Sequence, residues 1–216
     1  MINDTSGNCE QKKRYIIGLT GPIAAGKNVA ADILESKGFK ILDADRIAHE
    51  ILDSHKKQII ALFENDAQEA GIGLTHTDGS IHRKHLGQIV FHDRQKLIKL
   101  EHFVHPLVEA EIRKAVAEKP DTSFIVNAAL LYKIPIVRDC DCILYISAPF
   151  FIRFMRVKKR DNLHFKYIIE RFYAQRQIFT KCKKQNADIY RVGNCGTKKR
   201  LQEKIEAVLQ SSIYKG

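Results

Sequence analysis

The 216-residue chain has no tryptophan, and none of its apolar runs approaches the ~20 residues a membrane-spanning helix needs. Cysteine is sparse: five stand at 9, 140, 142, 182 and 195, an odd number with no C-x-x-C among them. That pattern argues against a paired zinc spacing and a disulfide framework, and reads as reduced thiols in a cytoplasmic protein. Cys140-Asp141-Cys142 sets two thiols on one strand face, yet no second ligand pair accompanies them. Internal repeats and low-complexity linkers are missing too. Acid is short relative to base, with 25 Asp and Glu against 36 Lys and Arg, a formal charge of +11. The partner is therefore expected to be anionic, and nucleic acid, a membrane surface or a polyphosphate all suit that sign.

Lys12-Lys13-Arg14 followed by YIIGLTGPIAA has the basic flank and short apolar run of a secretory signal. Thr20, Gly21 and Pro22 break that run, which leads straight into Gly26-Lys27. A buried first strand feeding a glycine loop accounts for the same residues, so no secretion is expected. Residues 1–14 are polar and aperiodic, and read as a flexible extension.

What the chain does have is a strand, a glycine loop, a helix and a second strand in succession. Arg14 to Thr20 is a short apolar run of the kind buried on both faces. Val29, Ala30, Ile33 and Leu34 then recur at helical spacing, Gly38 stops the helix, and Phe39 to Leu42 forms the next strand. Between them lies GPIAAGKN, residues 21–28, which matches the phosphate-loop pattern G-x-x-x-x-G-K-[ST] at Gly21, Gly26 and Lys27. The final hydroxyl is lacking, and Asn28 stands in its place.

In such a loop successive backbone N–H groups surround phosphate oxygens, and the following helix adds its positive end. Lys27 would neutralise charge that develops during phosphoryl transfer. The bland alternative, a glycine-rich turn, would leave Lys27 as a solvated surface residue. The Asn28 amide oxygen is a hard donor suited to Mg²⁺, although longer than the usual hydroxyl.

Asp43 and Asp45 follow the second strand, at the sheet end where ligands bind in open parallel sheets. Either can approach an acceptor hydroxyl or the metal, while Asp45 can also simply cap the next helix. Residues 46–118 read as mostly helical, with a long stretch from about Arg83 to Glu118 and a turn at 77–80. Strands return at 123–131 and 140–147, then basic helices at 149–160 and 164–184, a strand at 187–192 and a helix at 198–211. Arg156 and Arg160, four apart on one helix face, can embrace a polyphosphate. Phe165, Tyr167, Phe172 and Tyr173 read as core. The alternation predicts an α/β layered fold with a parallel sheet and a helical insertion.

Together IIGLTGPIAAGK, ILDADRIAHEIL, DGSIHRKHLGQIVF, LEHFVHPLVEAEI, RVKKRD, Gln175 and Ala187-Asp188 ahead of Asn194 resemble the dephospho-CoA kinases, relatives of the nucleoside monophosphate kinases. The resemblance spans about Tyr15 to Asn194. It implies a three-layer P-loop NTPase fold over residues 15–212, with core segments at about 15–45, 121–150 and 185–212. A helical CoA-side subdomain at about 46–120 and a lid at about 151–184 complete the single kinase domain. It implies ATP and Mg²⁺ as cofactors and transfer of the γ-phosphoryl group to the ribose 3′-hydroxyl of dephospho-CoA. Gly21, Ala24, Ala25, Gly26, Lys27, Asn28, Val29 and Asn194 would bind ATP, with Asn28 at the metal. Asp45 would activate the acceptor beside Asp43, Arg156 and Arg160 would act from the lid, and Arg46 and His105 would lie on the acceptor side. His105, next to Pro106, reads equally as structural.

The chain departs from that family at Asn28 and again at Ala129-Leu130-Leu131-Tyr132-Lys133, where the family pattern after the third strand carries a proline and ends in an acid. The expected partners are small molecules and the expected state is a monomer. The alternative reading is a catalytically weak nucleotide-binding protein with a basic nucleic-acid-binding surface.

Overall fold

The computed structural model describes residues 14–161, 164–185 and 187–213; the expected extension over 1–14 lies, apart from Arg14, outside the described residues. The chain opens with β1 (Ile16–Thr20), the glycine loop, α1 (Lys27–Glu35) and β2 (Lys40–Asp43). Four helices follow, α2 (Ala44–Ser54), α3 (Lys56–Glu69), α4 (Arg83–Phe91) and α5 (Arg94–Ala117). Then come β3 (Phe124–Asn127) and β4 (Cys142–Ser147), the helices α6 (Phe150–Asp161), α7 (Phe165–Ala174) and α8 (Ile178–Lys183), and finally β5 (Asp188–Gly193) and α9 (Lys198–Val208).

The strands form one parallel sheet in the order β2-β3-β1-β4-β5. With a side-chain period of two, each central strand feeds both faces. Ile17 and Leu19 of β1, Ile125 of β3 and Leu144 of β4 pack with Ala30, Ile33 and Leu34 of α1 and with Leu201 and Ile205 of α9. Ile16, Phe124, Val126 and Ile143 face the other way, against Ile51, Ile59, Phe63, Leu86, Val108 and Ile112 of the helical insertion. Each fully buried large apolar side chain stabilises the fold by ~1.5–3 kcal/mol. The result is three layers with the sheet in the middle.

Several boundaries differ from the sequence reading, each for a local reason. The helical stretch expected from Arg83 to Glu118 divides at Asp93, whose carboxylate accepts the N–H groups of Gln95 at 2.7 Å and Lys96 at 3.4 Å and so caps a new helix. No break occurs at His105-Pro106: α5 runs through the proline. The stripe of Val104, Val108, Ile112 and Val116 buries one side of that helix and offsets the hydrogen bond lost at Pro106. The strand expected to reach Leu131 ends at Asn127: the N–H of Ala128 completes the ladder to Leu19, and that of Ala129 leaves it for the Asp45 carboxylate.

The helix expected over 164–184 is interrupted at Gln175–Gln177, where Gln175 reaches across to the glycine loop. Cys140 and Cys142 do not share a face, since Cys140 precedes β4 and joins the insertion-side core while Cys142 joins the α1 side. Burial pushes both thiols up to about 12, so they are inert packing groups. Asp141 between them accepts the N–H of Ile16 at 2.7 Å, pinning the start of β1.

Candidate active site

The C-terminal ends of β1, β2 and β3 and the start of β5–α9 enclose a cavity of about 680 Å³. Its floor is the loop 21–26, shaped by backbone demands that few residues meet. Gly26 sits at φ 94°, the left-handed region, directly before α1. A Cβ there would collide with the Asn194 side-chain amide, and one on Gly21 would collide with the Ile146 carbonyl. Ala24 also adopts a positive φ, 58°, a conformation that costs an L-residue about 1 kcal/mol. Something must hold it there.

Three side chains distant in sequence do so. The Nη1 of Arg156 donates to the carbonyls of Ala24 at 3.2 Å and Ala25 at 3.3 Å, and its Nη2 donates to Asn194 O at 3.3 Å. Asn194, 6% exposed, donates from Nδ2 to Ala25 O at 2.8 Å. Gln175 Oε1 accepts the N–H of Ile23 at 2.6 Å. With these carbonyls turned outward to Arg156 and Asn194, the loop's N–H groups and the positive end of α1 are left for an anion. Ile23 and Ala24 also pack on Val157, Ile168 and Phe172, so α6 and α7 lie against the loop.

Lys27 is no solvated surface residue. Its side chain is 13% exposed, and its Nζ donates to Asp45 Oδ2 at 3.3 Å. Asp45 lies within the first turn of α2, 53% exposed at its side chain, and also accepts the N–H of Ala129 at 3.2 Å. The cap on α2 is Asp43, not Asp45: Asp43 accepts the Arg46 N–H at 3.0 Å and the Asn127 amide at 3.3 Å. The chain turns helical at Ala44, so the two carboxylates meet by a strand-to-helix turn and not by strand alternation. Both still face the cavity, as do Asn28, Val29 and Arg160.

Asn28 is exposed, and its amide has no hydrogen-bond partner among the described residues. Its oxygen and the two carboxylates are hard donors that line the cavity. Arg160 makes a forked pair with Asp161 at 2.6 and 2.8 Å, which raises the guanidinium's pKa further and lowers that of the carboxyl.

Two expected acceptor-side residues stand elsewhere. Arg46 is exposed and pairs with Glu50 at 3.6 Å. His105 lies within α5, where burial and the nearby Lys133 lower its pKa against the opposing pull of Glu101. Neither lines the cavity. Ala129, Gly196 and Lys198 do line it without having been assigned to the site by sequence. Ala129 was hidden inside the over-long third strand, and the other two carry no chemistry-bearing pattern of their own.

A parallel sheet, a glycine loop with its lysine, a carboxylate beside that lysine and arginines on a covering helix define a P-loop phosphotransferase of the small-molecule kinase kind. The profile of the dephospho-CoA kinase family matches residues 15–198. A dephospho-CoA kinase of Treponema denticola is 39% identical over 194 residues, covering 88% of this chain and 86% of that one. One from Helicobacter pylori is 34% identical over 205 residues, covering 91% and 97%. The solved structure of a dephospho-CoA kinase from Campylobacter jejuni superimposes with a TM-score of 0.67 at 27% identity, covering 94% of this chain and all of that chain. The chain belongs to the dephospho-CoA kinase family. No helix among the described residues is long and apolar enough to cross a membrane.

Proposed function

We propose that this chain transfers the γ-phosphoryl group of ATP to the ribose 3′-hydroxyl of dephospho-CoA, giving CoA and ADP. The observation that carries this reading is the Lys27–Asp45 contact at 3.3 Å inside the glycine-loop cavity. It sets the phosphate-neutralising cation and the carboxylate that receives the acceptor's proton at one point.

In the proposed mechanism the loop N–H groups of residues 21–26 and Lys27 hold the ATP phosphates. Arrival of the phosphates draws Lys27 from Asp45 and frees that carboxylate to accept a hydrogen bond from the 3′-hydroxyl. As the oxygen–phosphorus bond forms, the hydroxyl proton passes to Asp45, and the bond from the γ-phosphorus to the β-bridging oxygen breaks with its electrons going to ADP. Asp43 holds the start of α2, and thereby Asp45, in place. Arg156 keeps the loop shaped, and Arg160 meets the phosphates when the helical cover over 151–184 closes.

Asn28, Asp43 and Asp45 fit Mg²⁺. The ion prefers hard oxygens and keeps several waters and substrate phosphates in its shell, so it needs no dedicated protein cage. None is found among the described residues. When bound it would supply charge neutralisation at the phosphate oxygens. ADP release with ATP and Mg²⁺, compared across dephospho-CoA, nucleoside monophosphates and shikimate, tests the reading. Release is expected with dephospho-CoA alone, and equal or faster release with another acceptor overturns it.

A further inference from the structure

A second cavity, of about 410 Å³, lies between the glycine loop and the helices α6 and α7. Pro22 and Gln175 line both it and the ATP-side cavity, so the two are neighbours across one wall. Its other walls are aromatic and cationic. The guanidinium of Arg153 lies over the Phe172 ring at 4.2 Å, and that of Arg176 over the Tyr173 ring at 3.4 Å. Phe150 meets Phe172 edge-on at 5.2 Å and braces the first of these stacks.

Neither arginine pairs with a carboxylate among the described residues, in contrast to Arg160 and Arg171, which both engage Asp161. The Arg153 Nε is buried and has no hydrogen-bond partner among the described residues. A guanidinium over a ring still presents N–H groups to phosphate oxygens; Arg176 spends one of its own on the Tyr173 carbonyl, from Nη1 at 3.5 Å, and keeps the others. A buried, unpaired donor is costly and is relieved by an anion.

Resting on the proposed function, we propose that this pocket is the subsite for the 5′-diphosphate of the acceptor, held by Arg153 and Arg176. Of the two reactants, ATP takes the glycine loop with its phosphates. Dephospho-CoA is the one that brings a second diphosphate, a short way from the hydroxyl to be phosphorylated. Placing it beyond Pro22 and Gln175 leaves the ribose at the cavity that holds Asp45. The aromatic plates fix the direction of both guanidinium edges.

Steady-state kinetics of the full chain test this on Arg153→Gln, Arg153→Lys and Arg176→Gln, with adenosine as an acceptor analogue that lacks the diphosphate. Losing a charge-assisted phosphate contact should raise KM for dephospho-CoA about tenfold or more in each Gln variant, while kcat and KM for ATP stay within about twofold. Arg153→Lys should recover part of the loss. Adenosine, read by its inhibition constant against dephospho-CoA, should bind the variants as it binds the unaltered chain. Unchanged KM for dephospho-CoA in both Gln variants overturns the subsite, as does equal weakening of adenosine or a matching rise in KM for ATP. If Arg153→Gln does not fold, the exposed Arg176 and the conservative Lys variant carry the test. No turnover of dephospho-CoA by the unaltered chain removes the reading beneath it, and the subsite with it.

Discussion

The donor side and the acceptor side of the cleft are built in different ways. On the donor side the loop 21–26 is fixed by backbone geometry, with Gly26 and Ala24 at positive φ and three side chains gripping its carbonyls and N–H groups. On the acceptor side the working groups are side chains on helix starts, half exposed, and held by few contacts. A phosphate is read by a fixed cage of N–H groups, so that cage must be rigid before ATP arrives. In the proposed mechanism the hydroxyl is read by one carboxylate, Asp45, which gives up Lys27 before it acts.

Both halves can be broken separately. Lys27→Ala should have the largest effect, because it removes the donor-side cation and leaves Asp45 unpaired. Loss of one electrostatic contact of this kind costs ~3 kcal/mol, about a hundredfold or more in kcat, with the circular dichroism spectrum unchanged. Near-normal turnover in this variant would remove the phosphate-loop assignment.

Asp45→Asn should come next, lowering kcat by about 10²-fold, the lower end of what losing a proton acceptor costs, with little change in either KM. Asp43→Asn should be milder in kcat, since Asn still caps α2, whereas Asp43→Ala should lose about 1 kcal/mol of stability in a urea melt. If Asp43→Asn proves the more damaging of the two Asn variants, the proton acceptor has been misassigned.

Smaller effects sharpen the contrast. Arg156→Ala should raise KM for ATP about tenfold, because the Ala24 carbonyl loses its donor, the Ala25 carbonyl keeps only Asn194, and the loop relaxes. Arg160→Ala should spare loop shape and reduce kcat more than KM. A distortion of ATP binding by Arg160→Ala equal to that by Arg156→Ala would erase the distinction drawn between them.

The departure at Lys133 lies against the helical insertion. Its ammonium pairs with Glu101 of α5, tying the segment after β3 to the helical insertion beside His105 and His102. Lys133→Gln should therefore raise the His105 pKa, measurable by NMR titration, because one lowering influence is removed while Glu101 remains. His105 is depressed in the folded chain, so its share of stability is full above the free imidazole value of about 6.5 and declines as pH falls toward the lowered folded value. The decline should shrink in Lys133→Gln. A downward shift of His105 would contradict this.

The parts of the molecule that sequence revealed follow from the same contrast. The donor site was legible because glycines at 21 and 26 and a following lysine are demanded by backbone geometry and phosphate charge. The central strands were legible from apolar runs. Less was visible where a long-range contact decides the local shape. Gln175 splits a helix by reaching Ile23, 152 positions away, and Asp93 starts a helix within a pattern that stays periodic on both sides. The exchange of capping between Asp43 and Asp45 depends on a helix start two residues earlier than the pattern suggested. Tyr173 read as a core ring and is exposed, since nothing in one stretch of sequence shows that two helices fold their faces around a shared pocket.

Asn28 is the finest discriminator between a donor loop that tolerates its missing hydroxyl and one that has adapted to the amide. Its exposed amide, without a partner among the described residues, favours tolerance. Asn28→Ser should be neutral or mildly activating at saturating Mg²⁺ and clearly better at limiting Mg²⁺, since a short hydroxyl fits the ~2.1 Å octahedral shell. Loss of activity would show an adapted loop.

The most direct test of the whole account follows the phosphoryl group itself. The chain is incubated with dephospho-CoA and ATP labelled at the γ-phosphorus, and the product is resolved and its phosphate position assigned by phosphorus and proton NMR. The account predicts CoA carrying the label on the ribose 3′-oxygen, with one ADP formed per label transferred and none from Asp45→Asn on the same timescale. Label in inorganic phosphate alone, on another oxygen of the acceptor, or transferred equally well by Asp45→Asn, would contradict it.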